Sequence, residues 1–478
     1  MNRRNWIKIN MLATGGMVLN QNLIARSLIK NIKYAPFTKA DFGSDFKWGV
    51  AQASYQTEGA WNIDGKGESV WDRFSHTKGK IERAETGDIA TDFYHKYKSD
   101  IALAKMMNFD VFRFSLSWSR IFPKGIGELN HKGVEFYHKV IDACLAQGLE
   151  PWVTIFHWDH PQALEDMGGW TNRKMVDWFS EYAEFVTKEY GSKVKNWMIL
   201  NEPLSFTGMG YMFGEMAPGR KGLKNFKPAA HHAVLCQAEG GRIVRKNVPG
   251  ANIGNTFAMS WIDPIDNHPK NIEAAKRTDA VFNRLFIEPA LGLGYPEDGL
   301  PYLKTMKKLY AQGDEKMMHF DFDFVGVQYY FRTVVKKSWM PPGLKAKEIS
   351  PVKRAVPRNE MNGEIYPKGF YQLLKKVGAY KNVKKIIVTE NGTCVKDALE
   401  NGYVHDKARI KYFEEHLAAL LKAKNEGVKV DGYFAWSLTD NFEWDKGFRP
   451  RFGLVYVDFN TLERTVKDSG YWFRDFLK

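Results

Sequence analysis

The chain reads as an α/β protein, a single (β/α)8 barrel with its chemistry at the C-terminal ends of the strands. Eight short apolar runs, at 48–51, 111–116, 152–156, 197–200, 253–258, 324–327, 386–389 and 433–436, recur with helical stretches between them. Strands alternating with helices argue for βαβ units and a parallel sheet, and eight repeats argue for closure into a barrel. The chain of 478 residues is 44% hydrophobic and 14% aromatic, enough for a large core. A prior of about 150 residues per domain suggests three domains, but no Pro-rich, Gly/Ser-rich or charge-block linker divides the sequence, so one domain is expected over 35–478.

Taken in order, the runs deliver polar and aromatic residues within, at or just beyond their ends. The first leads to Gln56, the second contains Arg113, and the third runs into His157-Trp158. The fourth ends in Asn201-Glu202-Pro203, where the proline stops the strand immediately after the acid. The sixth precedes Tyr330. The seventh ends in Glu390-Asn391-Gly392, a strong turn signal that marks a buried strand emerging as the backbone reverses. The eighth closes on Trp436, and the stretch 344–358, with Pro351 and Pro357, reads as a surface loop near the barrel mouth.

Glu202 and Glu390 are the informative pair. Cleaving a glycosidic bond with retention needs two carboxyl groups about 5 to 5.5 Å apart, one protonated and one ionised. Either glutamate alone reads as an ordinary strand-terminal charge in water. Asn201 changes the odds by offering an amide donor for a sugar hydroxyl beside Glu202.

With Asn201-Glu202-Pro203 and Thr389-Glu390-Asn391-Gly392 in place, the chain resembles glycoside hydrolase family 1, the retaining β-glycosidases. The likeness begins with 46–60, which contains Ala51-Gln52-Ala53-Ser54-Tyr55-Gln56, and continues through 112–123, which opens Phe112-Arg113-Phe114-Ser115. His157-Trp158-Asp159, Gly168-Gly169-Trp170, Trp436-Ser437-Leu438-Thr439-Asp440-Asn441-Phe442-Glu443-Trp444 and Arg451-Phe452-Gly453-Leu454 follow in the family's order. It covers the chain from about Phe46 to Trp472, and a chance match of so many ordered motifs is excluded.

The resemblance implies an exo-acting β-glucosidase. Glu390 is then the nucleophile and Glu202 the acid/base, with Arg113 and Tyr330 steering the nucleophile. From pattern alone Arg113 reads equally as a paired structural charge and Tyr330 as a core-capping phenol. Gln56, His157, Trp158, Asn201, Trp436, Glu443, Trp444 and Phe452 are implied as substrate contacts, with Trp118 in the same aromatic wall. An anionic Glu443 facing the sugar's C-4 and C-6 hydroxyls disfavours a 6-phosphate, and Glu202 is not replaced by the glutamine of plant thioglucosidases. A β-galactosidase or β-fucosidase, a transglycosidase, and a sugar-binding barrel without catalysis remain as alternatives.

Three positions depart from the family pattern: Ile199 for Thr, His160 for Leu and Gln328 for Asn. Gln328 adds a methylene beside the nucleophile, and an ångström of misplacement there can cost on the order of 10²-fold in rate. His160 reads either as a new polar group on the aglycone side or as an exposed loop histidine.

Other chemistries find no support in the sequence. Cys144, Cys236 and Cys394 form no C-x-x-C pair, and His231-His232 and His157/His160 lack a third ligand at metal spacing, so no metal is expected. No phosphate-binding loop follows a strand, and glycoside hydrolysis needs no cofactor. The expected partners are small β-glucosides or oligosaccharides. The net charge of +14 invites a nucleic-acid reading, but Lys345, Lys347, Lys375, Lys376, Lys384 and Lys385 are scattered along the sequence rather than gathered in one module.

Residues 1–34 read as a leader. Asn2-Arg3-Arg4-Asn5-Trp6 resembles a twin-arginine export signal, and the apolar stretch after it is too short and polar to span a membrane. A periplasmic location is the first expectation and a cytoplasmic one the alternative.

Overall fold

The computed structural model describes residues 36–341 and 343–478. The leader at 1–34 lies outside the described residues. Nine strands form one sheet: β1 Lys47–Ala51, β2 Val111–Ser115, β3 Glu150–Phe156, β4 Asn196–Asn201, β5 Asn252–Pro264, β6 Phe324–Lys337, β7 Ala346–Glu348, β8 Ile386–Asn391 and β9 Val430–Trp436. Their order is β5-β4-β3-β2-β1-β9-β8-β6-β7, and a further β5–β6 pairing closes eight parallel strands into a barrel. β7 is antiparallel to β6 and stands outside the ring.

Helices alternate with the strands because their apolar positions recur on one face. In His131–Ala146 the buried Val134, Tyr137, Val140, Ile141 and Cys144 follow the i, i+3, i+4, i+7 rule and pack inward. Inside the barrel, Val111, Trp152, Met198, Phe324, Ile387 and Phe434 form a separate apolar floor. Two glycines make room for it. A Cβ on Gly49 would lie 2.4 Å from the Phe434 ring, and one on Gly254 would lie 2.3 Å from the Phe324 ring. This filled floor closes one end of the barrel.

Two expectations need correction. The runs at 253–258 and 324–327 are only the buried halves of longer strands, which stay paired from Trp261↔Arg332 to Pro264↔Val335 beyond the barrel proper. Backbone hydrogen bonding sustains them where hydrophobicity stops, and Arg332 also bridges to Asp263. The stretch 344–358 is not plain loop: it contains β7 and a helical turn, Pro351–Arg354, whose first turn is capped by the Ser350 hydroxyl.

Candidate active site

Glu390 lies at the end of β8, 3% exposed. Arg113 from β2 donates Nη1 to its Oε1 and also to the Thr389 carbonyl at 3.2 Å. The Tyr330 hydroxyl from β6 donates to Oε2 at 2.6 Å. Burial raises the Glu390 carboxyl above its ordinary range, and Arg113 and Tyr330 offset only part of that rise. A cation and a phenol donor on the same carboxyl favour the ionised form.

Glu202 follows β4 and caps the helix Pro203–Thr207, with Pro203 at the first helical position, where its missing N–H costs nothing. Its backbone N–H donates to the Thr256 carbonyl at 3.0 Å, and its φ of 45° is left-handed. Trp158 and Trp444 also hold positive φ, 80° and 50°. Side-chain residues in that region are uncommon and gather at functional sites. Glu202 is 7% exposed, and among the described residues no cation is in ion-pair contact with it. Burial, then the charge of Glu390, raises its carboxyl to about 8. Burial raises both glutamates, but only Glu390 is in direct contact with Arg113, which reaches Glu202 as a smaller, more distant charge.

Asn201 ties the two together. Its Oδ1 accepts from Arg113 Nη2 at 2.6 Å, Gln328 Nε2 at 2.8 Å and Thr256 Oγ1 at 2.9 Å. The amide is thereby oriented so that Nδ2 donates to His157 Nε2 at 3.0 Å. Burial and Arg113 keep His157 well below its ordinary pKa and so neutral, and the proton therefore sits on Nδ1, which is buried without a partner. Gln56 is arranged likewise. Its Nε2 donates to the Phe442 carbonyl at 3.0 Å and Asn441 Oδ1 at 3.2 Å, leaving Oε1 unpartnered. An orphan donor and an orphan acceptor suit a hydroxyl, which both gives and takes a hydrogen bond.

Aromatic rings enclose this polar set. His157 stacks near Trp436 and Trp444, at 6.1 and 5.8 Å, and Trp158 lies 4.5 Å from Trp444 with its indole N–H on the Asn201 carbonyl at 2.8 Å. Phe452 meets Tyr330 edge-on at 6.0 Å. Apart from Trp118, the residues singled out by sequence are therefore brought together around one site. Trp118 is not part of its wall: it stacks on Tyr182 at 4.6 Å, with its N–H on the Gly125 carbonyl, inside the core.

Glu443 corrects an expectation. Its closest polar contact is Gln56 Nε2 at 3.4 Å, and burial, Asp445 and Glu390 raise its carboxyl to about 8. At neutral pH it is a neutral donor and acceptor rather than the anion expected. His160 is no exposed loop residue either: it is buried against Glu165 at 3.0 Å, where Arg220 and Tyr211 also bind. Ile199 points away from the pocket, against Gly240 of the helix Leu223–Asn247. The extra methylene of Gln328 carries its amide to Asn201.

Sequence reasoning missed Thr256, Thr154 and Asn441. Thr154 Oγ1 accepts from Arg113 Nε at 3.2 Å. The signal for the two threonines was alternation along β3 and β5, which turns each inward; Asn441 lay inside a quoted motif.

The sequence model described as glycosyl hydrolase family 1 matches residues 38–478. "Beta-glucosidase A" of Thermotoga maritima is 40% identical over 439 residues, covering 91% of this chain and 98% of that protein. "1,4-beta-D-glucan glucohydrolase" of Thermotoga neapolitana is 38% identical, covering 91% and 98%. The solved structure of the Thermotoga maritima β-glucosidase in complex with glucoimidazole superposes with a TM-score of 0.85 at 39% identity, over 90% of this chain and 97% of that one. With its barrel, its paired carboxyls and these relatives, the chain belongs to glycosyl hydrolase family 1.

Proposed function

We propose that this protein is an exo-acting retaining β-glucosidase that removes terminal non-reducing β-D-glucosyl residues through a covalent glycosyl-enzyme. The observation that carries the reading is the contrast between Glu390, paired with Arg113 and Tyr330, and Glu202, raised to about 8 with no ion pair among the described residues. Glu390 attacks the anomeric carbon while Glu202 protonates the departing oxygen. Esterification removes the Glu390 charge, the second cause of the raised Glu202 carboxyl, so Glu202 acidifies. It then takes a proton from water, which attacks the same carbon and releases the sugar with its configuration retained. His157 Nδ1–H, Gln56 Oε1 and Glu443 hold hydroxyls, and Trp436 faces the ring's C–H groups. The names of the relatives support glucose as the sugar and β-1,4-linked glucans among the substrates.

The test is hydrolysis of nitrophenyl β-glucoside, β-galactoside, β-fucoside and 6-phospho-β-glucoside. The β-glucoside is expected to turn over fastest, Glu390→Gln to abolish turnover, and azide to rescue Glu202→Ala as a β-glycosyl azide. Preference for the galactoside or fucoside moves the assignment within the family, and binding without turnover by folded wild type moves it to a sugar-binding barrel. We further read residues 1–34 as an export leader. A reporter fused to them and reaching the periplasm only with Arg3 and Arg4 intact is the expected result.

A further inference from the structure

β5 and β6 do not stop at the barrel mouth. They rise beyond it as a paired ribbon, and β7 adds a short antiparallel edge through Val335↔Glu348, Lys336↔Lys347 and Lys337↔Ala346. Tyr330, at the base of this ribbon, touches Glu390. Lys336 lies six residues further along the strand, about 20 Å at ~3.3 Å per residue. The outer ribbon is therefore beyond the reach of a sugar seated in the pocket.

Lysines gather along it. Lys336, Lys345, Lys347 and the nearby Lys353 form no ion pair among the described residues. Several lysines elsewhere do have an acidic partner: Lys188 pairs with Glu184 at 2.7 Å, Lys375 with Glu426 at 2.8 Å and Lys384 with Asp321 at 2.7 Å. Lys336 and Lys347 are direct cross-strand partners, the placement in which like charges destabilise a sheet. The neighbouring carboxylates are committed, since Glu364 takes Arg332 and Arg354, and Asp263 takes Arg332. The crowding registers on Lys347, whose ammonium is lowered by burial and then by Lys336 and Lys353. At the ribbon tip Trp339 is 79% exposed beside Met340, with the Lys337 ammonium 4.4 Å from its ring centre.

We propose that this ribbon is a second docking site, for an anionic glycan whose acid groups neutralise Lys336, Lys345, Lys347 and Lys353 while one sugar face lies on Trp339. A bound polyanion removes the cross-strand repulsion that the free ribbon carries. Trp339 stands 79% exposed as a platform for one sugar face, whereas a single aromatic is a poor platform for successive bases. A ribbon standing on the rim of a sugar-cleaving pocket instead keeps a glycan close to that pocket. This last step rests on the glycosidase reading.

The probe is polygalacturonate, with neutral dextran, anionic phospholipid vesicles and single-stranded DNA as comparisons, bound to the full chain at low salt. Wild type is expected to bind polygalacturonate and not dextran. Binding should fall at least about tenfold in K336Q/K347Q/K353Q and steeply with added salt, and about threefold or more in Trp339→Ala. Both variants should hydrolyse nitrophenyl β-glucoside at the wild-type rate. Unchanged polygalacturonate binding in the triple variant, or tighter wild-type binding to vesicles or DNA, overturns the proposal. Polygalacturonate binding by a chain that hydrolyses no glycoside overturns the glycosidase reading and leaves the docking site standing.

Discussion

Glu202 is a carboxyl whose proton is held by its surroundings, and two measurable consequences follow at this scale. Its folded value of about 8 lies above that of the unfolded chain, about 4.3. Between those limits the folded state holds a proton that the unfolded state has released, so this group takes away stability as pH rises through the window. Glu202→Gln removes the penalty. Denaturation at pH 5 and pH 8 should show the variant gaining on wild type by ~3 kcal/mol toward the alkaline end; a difference that does not change with pH refutes the assignment. The same ionisation should end activity above about pH 8, where Glu202 can no longer donate. Arg113 is the other lever. Arg113→Met strands the Glu390 carboxylate in a buried site, a loss of about 3–5 kcal/mol when one partner of such a pair is removed. It should also move the acidic limb of the kcat/KM profile upward, because Glu390 ionises later without its cation. A stability loss with an unmoved limb would make Arg113 purely structural. These roles were legible as motifs, yet the tautomer of His157 and the neutral state of Glu443 were not, since both depend on partners that arrive from other strands.

Among the elements, the strands show where hydrophobicity stops being informative. All eight barrel strands were visible as apolar runs, because a strand covered on both faces reads as continuous Val, Ile, Leu and aromatic residues. The continuation of β5 and β6 was not visible, since polar residues such as Asp263 and Arg332 are held there by pairing and charge. β7 was missed for the same reason. Lys347, one of the lysines scattered by sequence, comes to stand beside Lys336 because antiparallel pairing sets the two opposite each other. The apolar floor has its own test. Gly254→Ala drives a methyl into the Phe324 ring at 2.3 Å and should cost about 1–3 kcal/mol. Phe324→Leu in the same chain should recover part of that loss. A double-mutant cycle measures the coupling, and strict additivity would show that the floor adapts without Phe324 moving.

The molecule as a whole is one barrel sealed at one end by side chains and open at the other. The described fold begins by packing Phe37 against Phe42 and Phe476, each at 5.8 Å, which joins its two ends. A chain beginning at Pro36 should therefore match the full chain in melting temperature and nitrophenyl β-glucoside hydrolysis. Removing residues through Gly43 as well strips Phe42 from Trp48, 4.9 Å away, and should lower the melting temperature by several degrees. Equal stability of both truncations would mean that this aromatic join contributes nothing. By itself the sequence determined the barrel class, the eight strands and the two glutamates, because periodicity and turn chemistry are local and each motif is contiguous. The tertiary structure alone decided which histidine nitrogen keeps its proton, that Glu443 is held neutral and which lysines stand together, because desolvation and hydrogen bonding act through space between residues as far apart as His157 and Asn201.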